Sequence, residues 1–394
     1  MRGSDTSPDS PTQVHPAPGG IVLSSHHDLA MVAEDWLSFQ LHAHGTLYQN
    51  FNWCRIWLET IGRQHGVNPV IVIGREDGQI RFLLPFQIAR RQGIRVLEWL
   101  GSPYHNYGWP LLDPAFQSRA ADWFRDGLSR MISAIDGIDA VALSENPGVL
   151  DTCENPLAAH FTARGANPSF ALALNTDFES IHIRMRGGER RRSLRKKKSA
   201  LEEQGQFHFG LADGKPALHA VLDTMFSHQE QRLAEIGVHS VFGQVERQFV
   251  HRLAEEQHEA DPILAPYVLS LDGEVLAVML GGLHGGTYWA LISSLAPGPW
   301  RKFSPGDIAL HHTIAACCAR GLSRLDFSAG DSPYKRQWAE ETIESSVILQ
   351  ALNLRGLVWA AAYALRLAIK RTIKRNPALL AAALFLRRKM FSRR

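Results

Sequence analysis

The ten residues Asp326-Phe327-Ser328-Ala329-Gly330-Asp331-Ser332-Pro333-Tyr334-Lys335 bring two carboxylates, a phenol and an ammonium into one short block. A strand is expected over 322–327, so Asp326 lies at its end. A carboxylate there, partly desolvated, rises in pKa and can take a proton. Tyr334 can protonate a leaving thiolate, and Lys335 can neutralise an oxyanion or a phosphate. About one helix length upstream stands Arg301-Lys302-Phe303-Ser304-Pro305-Gly306. Ser is a preferred N-cap and Pro suits the first helical position. The free amides and positive dipole end of such a helix attract anions, and Arg301 and Lys302 add counter-charge. Asp307, in the first turn, opposes that attraction. An anion-binding helix start beside an acid/base block suits a transferase whose donor carries phosphates.

Other chemistry is thinner. His228 and Arg232 lie four apart and share one helix face, where they can contact an anionic or polar substrate. The histidine pairs His26-His27, His42-x-His44 and His311-His312 lack metal spacing, and H-E-x-x-H is absent. No metal is expected. G-x-S-x-G, Walker A and G-x-G-x-x-G are also absent, which argues against hydrolase, P-loop and dinucleotide chemistry.

The elements that position these residues follow from periodicity. Two helices are expected over 29–63, with apolar faces marked by Trp36, Phe39 and Leu41 and by Trp53, Ile56, Trp57 and Ile61. Strands follow at 69–73 and 80–85 around an Asp77-Gly78 turn, then at 94–100. A helix over 116–135 and a strand at 140–143 complete the set. The second half repeats the order. Strands at 266–269 and 275–282 flank Asp272-Gly273, and a strand at 287–295 follows. A helix over 305–320 and the strand at 322–327 close the repeat. The pattern reads as a duplicated α+β unit. Between the halves a single basic helix is expected over 178–206, followed by helices over 216–236 and 246–258.

The 394 residues are 45% apolar and 21% charged, with a formal net charge of +3. That composition is globular and, taken whole, is not that of a polyanion binder. Positive charge gathers in two places. Arg184, Arg186, Arg190, Arg191, Arg192, Arg195, Lys196, Lys197 and Lys198 are interrupted by one acid, Glu189. This helix could bind tRNA or an acidic glycan, but it lacks interleaved aromatics, and a solvated face explains it more simply. From 351 to 394 there are eleven Lys and Arg and no Asp or Glu. Trp359, Tyr363 and Phe385 are candidate interfacial aromatics of a basic amphipathic tail on anionic lipid. Pro377 divides it, and its apolar stretches at 357–365 and 378–386 are too short to span a bilayer. The four cysteines include adjacent Cys317-Cys318 and no C-x-x-C, as expected of reduced thiols in the cytoplasm. The stretch through Gly20 lacks a signal-peptide pattern and reads as a disordered tail.

Several ordered motifs resemble one family. Leu47 to Trp53 resembles an aromatic-Gln…Trp helix start, and Leu84-Pro85-Phe86 a Leu-Pro-Leu strand end. Leu97 to Gly101 with Asn106-Tyr107 resembles a Leu-Gly…Asp-Tyr loop, with Asn in place of Asp. Arg191 to Lys196, His228…Arg232, Ser304-Pro305-Gly306 and Asp326-Phe327…Gly330-Asp331…Tyr334-Lys335…Trp338 complete the series. Over about 45–345 the chain resembles the GNAT-superfamily acetyltransferases of the CelD/BioF2-like group, associated with cellulose and exopolysaccharide biosynthesis. The resemblance implies two mixed-sheet GNAT domains flanked by helices, at 21–175 and 176–350, between an N-terminal tail (1–20) and the basic helical tail (351–394). It implies acetyl-CoA or another acyl-CoA as donor, with the pyrophosphate on Arg301, Lys302, Ser304, Pro305 and Gly306. Asp326 would deprotonate an amine or hydroxyl acceptor, Tyr334 would protonate the thiolate and Lys335 would steady charge. His228, Arg232 and Tyr107 would contact the acceptor, a small molecule or glycan precursor. A FemABX-like aminoacyltransferase using aminoacyl-tRNA shares this signature and is the alternative. A non-catalytic, membrane-associated scaffold is the third reading.

Overall fold

The computed structural model describes residues 13–16, 20–174, 177–212, 214–235, 242–257 and 262–376, with 378, 379 and 382. The first repeat runs β1 (Val22–His26), α1 (Ala33–Phe39), α2 (Phe51–Trp57), β2 (Asn68–Glu76), β3 (Gln79–Arg91), β4 (Ile94–Trp99), α3 (Gln117–Ser133) and β5 (Ala140–Pro147). A strand β6 (Ser169–Ala173) and helices α4 (Phe178–Met185) and α5 (Gly188–Glu202) lead onward. The second repeat runs β7 (Phe207–Leu211), α6 (Gly214–Glu235), α7 (Gln244–Glu256), β8 (Leu264–Leu271), β9 (Glu274–His284), β10 (Thr287–Leu295), α8 (Pro305–Ala319) and β11 (Arg324–Ala329). The chain ends in α9 (Pro333–Trp338), β12 (Glu341–Ile343), β13 (Ser345–Ala351) and α10 (Leu354–Arg375).

Local chemistry explains the matching hairpins. Asp77-Gly78 and Asp272-Gly273 both hold positive φ at the two central residues, the geometry that fits two-residue hairpin loops. Each repeat contains one parallel pair, β4 with β5 and β10 with β11; the other main strand pairs are antiparallel. The sheets are closed by exchange. β6, which follows the first repeat, pairs with β11 of the second. β13, which follows the second repeat, pairs with β5 of the first. The repeats also share a core, in which Trp53 of α2 meets Phe249 of α7 edge-on at 5.0 Å. Arg55 pairs with Glu256 at 2.6 Å and Arg252 with Glu59 at 2.7 Å beside it.

Three expectations are corrected. The basic segment is two helices, not one, because Arg186 is extended and Gly187 caps α5. The Arg186 side chain is drawn inward, bonding Asp307 and the Gln337 amide oxygen and lying 4.6 Å over the Trp338 ring. Within the N-terminal stretch read as a disordered tail, Gln13–Pro16 forms a strand against β1. Trp359 and Tyr363 do not offer themselves as open interfacial aromatics. They stack on each other at 5.2 Å, and Trp359 and Ala360 pack on Val96, Ala140 and Ala142. Asn353 caps α10 and also donates to Asp139, while a side chain at Gly356 would strike the Asp139 carbonyl at 1.8 Å. Phe385 lies outside the described residues. Among the described residues no helix is long and apolar enough to cross a membrane.

A chain ended after Glu344 loses β13 and leaves β5 an open edge above an uncovered apolar face. It is expected to elute as aggregate in size-exclusion chromatography, whereas a chain ended after Asn376 stays dispersed. A dispersed, cooperatively folding shorter chain would show that β13 is not essential to the fold.

Candidate functional site

The parallel strands of the second repeat pair only briefly. Thr287 faces Arg324, Tyr288 faces Leu325 and Trp289 faces Asp326. Beyond that point β10 continues to Leu295 and β11 to Ala329 without pairing each other, so the strands part and Asp326 stands at the vertex. The first repeat has the same short parallel contact, Val96 with Ala140 and Leu97 with Val141. There the gap is filled. The Gly108 amide donates to the Glu145 carbonyl at 2.9 Å, His105 bonds the Ser144 carbonyl, and the Trp99 indole donates to Asn146. A Cβ at Gly108 would lie 2.1 Å from the Trp99 ring nitrogen. The second gap is therefore the one that a ligand can use.

Asp326 is fully buried. It accepts from the Tyr107 hydroxyl at 2.8 Å and from the Ser328 amide at 2.7 Å, and Arg324 lies 3.9 Å away. Burial pushes its carboxyl up to about 6, against the opposing pull of Arg324 and these hydrogen bonds. Lys335 is buried as well; its ammonium donates to the Ser328 and Ala329 carbonyls, leaving one N–H uncommitted. Burial lowers it to about 8. Tyr48 extends the network: Asn106 donates to its oxygen at 2.6 Å, and Ser328 Oγ lies 3.4 Å from it. Burial raises Tyr48 to about 12. Tyr334 sits between the arms of the opening. Its hydroxyl meets the Ser293 side chain on β10 and its ring meets Phe327 of β11 edge-on. Burial raises its pKa, while Ser293 and Arg232 oppose the rise.

The start of α8 differs from the capped helix expected. Ser304 occupies the N-cap position in the left-handed region, with φ 56° and no side-chain cap. Its hydroxyl instead accepts from Lys197 of α5 at 2.8 Å. Arg301 is paired with Glu235 at 2.7 Å, and Lys302 lies over the Phe303 ring. Asp307, expected to repel an anion, is neutralised by Arg186. Gly306 is needed for packing, since a Cβ there would lie 2.7 Å from Leu295 of β10.

The structure thus brings Asp326, Tyr107 and Lys335 together at the vertex, Tyr334 and Arg232 over the opening, and Arg301, Lys302, Ser304, Pro305 and Gly306 at its far end. His228 stands apart from this group: it is half-buried on α6 with Glu274 as its opposing charge, and burial lowers its pKa. Gln229, its neighbour, reaches β10, donating to the Ser293 carbonyl at 2.7 Å. Sequence reasoning missed Tyr48, Arg186, Lys197, Ser293 and Gln229. Tyr48 lies in the Leu47–Trp53 motif and Lys197 in the basic run, but no local signal ties either to a site. Among the described residues no group of three or more His, Cys, Asp or Glu could hold a metal ion.

Comparison with known proteins bears on the fold. Residues 188–336 match the model of the acetyltransferase (GNAT) domain. No curated protein sequence matches the chain. Among solved structures, FemX aligns with TM-score 0.58 at 11% identity, over 85% of this chain and 99% of its own. A C-terminal domain assigned to a lysylphosphatidylglycerol synthetase from Agrobacterium fabrum aligns with TM-score 0.52 at 13% identity, over 88% and 97%. A conserved protein of unknown function from Bacteroides thetaiotaomicron aligns with TM-score 0.50 at 11% identity, over 82% and 97%. At these identities the likeness is one of fold. Residues 188–336 carry a GNAT acetyltransferase domain, and the chain as a whole is a duplicated fold of two mixed sheets with flanking helices.

The Asp326 carboxyl stands near 6 in the fold against an ordinary 3.8. The native state therefore holds this proton more tightly than the unfolded chain. That stabilisation is complete below 3.8 and is lost as pH rises through about 6, a change of up to about 3 kcal/mol. Asp326→Asn keeps the shape and removes the titration. The wild-type stability measured by urea unfolding, less that of the variant, is expected to fall by about 2–3 kcal/mol between about pH 4 and about pH 7.5. A difference that stays flat would show that the carboxylate is not held protonated.

Proposed function

We propose that the chain is an acyl-CoA-dependent acyltransferase in which the acceptor attacks the thioester directly. The observation that carries this reading is the open strand pair of the second repeat, with a buried carboxylate at its vertex and cations at the helix start beyond its wide end. An extended donor laid between β10 and β11 would meet strand edges unused by each other, with its pyrophosphate at Ser304, Lys197 and Lys302. Tyr334, between the arms, is placed to protonate the departing thiolate. Asp326 accepts the proton of the acceptor by way of the Tyr107 hydroxyl, and the remaining N–H of Lys335 steadies charge. Cys317 is buried and its thiol is pushed up to about 12. A thiol so disfavoured as thiolate makes a poor nucleophile, which supports direct transfer over an acyl-enzyme.

The acceptor we assign is an amine or hydroxyl of a small molecule or glycan precursor, contacted by Arg232 and Tyr107; His228, apart from the vertex, is left out of this contact. The CelD/BioF2-like motifs support a place in bacterial polysaccharide or cell-envelope biosynthesis. We place the protein in the cytoplasm, against the inner face of the membrane. The support is the outward face of α10, where Leu354, Leu357, Val358, Leu365 and Ile369 are exposed beside Arg355, Arg366 and Lys370. A second reading, an aminoacyl-tRNA-dependent transferase, is supported by the near full-length likeness to the FemX fold and by the cations of α5.

Calorimetric titration of acetyl-CoA into the full chain separates these readings. Micromolar binding is expected, weakened about tenfold by Lys197→Ala, the loss of roughly one charge-assisted contact. No binding of acetyl-CoA or CoA, together with tRNA binding that falls steeply with salt, would overturn the acyl-CoA reading in favour of the second. For α10, sedimentation with vesicles containing anionic lipid is expected, and the exposed pair Leu357→Glu and Leu365→Glu should abolish it. Equal sedimentation of that double variant would rule the membrane contact out.

A further inference from the structure

Beside the vertex lies a cavity of about 220 Å³ with an almost wholly apolar wall. Its sides come from both repeats: Trp53 and Ile61 from the first, Phe249 and Leu253 from α7, and Leu291 and Ile292 from β10. Polar groups are confined to its two ends. At the outer end Tyr104, 40% exposed, donates to Glu246 at 2.8 Å. At the inner end Asn106 and Tyr48 join the hydrogen bonds that run through Ser328 to Asp326. Leu291 and Ile292 follow Trp289 on β10 and so belong to the arm of the opening itself. The inner end of the cavity is thus joined to the vertex through Asn106, Tyr48 and Ser328.

We propose that the cavity seats an aliphatic chain carried by one of the two substrates of the transfer. The inference rests on the acyltransferase reading and specifies its substrate class. A sugar ring or peptide pressed against this wall would leave its polar groups without partners. A hydrocarbon chain loses nothing there and gains by leaving water. Leucine-, isoleucine- and phenylalanine-lined cavities of about 150 Å³ in other proteins stay dry and take apolar guests. The cavity is also continuous with polar groups at both ends, so a chain can lie in it while its head group remains at the vertex. The chain can enter as the acyl group of the donor or as the tail of the acceptor. Both are the same chemistry, and one experiment tells them apart.

The full chain is titrated by calorimetry with acetyl-CoA, octanoyl-CoA, ethylamine and octylamine. If the donor carries the chain, octanoyl-CoA binds at least about tenfold more tightly than acetyl-CoA, a small part of what six buried methylenes could supply. If the acceptor carries it, the two CoA esters bind alike and octylamine binds where ethylamine does not. Val250→Phe and Leu253→Phe narrow the cavity from α7, away from the start of α8 where the pyrophosphate would sit. Each is expected to erase the chain-length preference while leaving acetyl-CoA affinity unchanged, which also certifies the fold. The wild-type series decides by itself: no preference for the longer chain in either pair overturns the proposal. So does a preference that survives both narrowing variants. Absence of acetyl-CoA binding would instead count against the acyl-CoA reading, and octylamine would still report on the cavity directly.

Discussion

The reciprocal exchange of β6 and β13 is the constraint on which the rest of this molecule depends. Each repeat, taken alone, ends its sheet at the strand bearing the site or its counterpart, β11 or β5. Only a strand from beyond the other repeat covers that edge. The two sheets are therefore held at a fixed offset, and helices α2, α6 and α7 pack into one core between them. That offset lets Tyr107 of the first repeat reach Asp326 of the second, 219 residues later. A carboxylate with no exposed surface persists at the vertex because its neighbours satisfy it: a phenol, a backbone amide and, at longer range, a guanidinium.

Duplication gave two parallel strand pairs, and they have diverged. The loop carrying His105 and Gly108 lies in the first gap and hydrogen-bonds along β5. The same loop supplies Asn106 and Tyr107 to the second gap. One repeat has thus given up its own opening and furnishes part of the wall of the other. The start of α8 shows similar sharing on a smaller scale, since Lys197 and Arg186 reach it from the connecting segment.

What could be read from the sequence was local. The hairpins at Asp77-Gly78 and Asp272-Gly273 were legible because two residues of positive φ are a chemical requirement of the turn itself. The helix start at Pro305 and the strand ending beyond Asp326 were legible for similar reasons. Total burial of Asp326 was not, because the groups that bury it come from residue 48 and residue 107. The break between α4 and α5 was hidden too. A run of arginines favours helix, and the opposing influence is a tertiary one, the pull of Asp307, Gln337 and Trp338 on the Arg186 side chain. Ser304 misled in the same manner: its type suits a cap, yet Lys197 claims its hydroxyl.

The strand exchange also has a consequence for how the chain is made. The first repeat leaves the ribosome nearly two hundred residues before β13, the strand that covers its β5 edge. Its sheet must wait, one edge bare, until the second repeat has been synthesised. Sequence-distant pairing of this kind is slow to form and exposed to misassociation while it waits. The second repeat, by contrast, finds β6 already in place when β11 emerges, so the repeat that closes first is the one translated last.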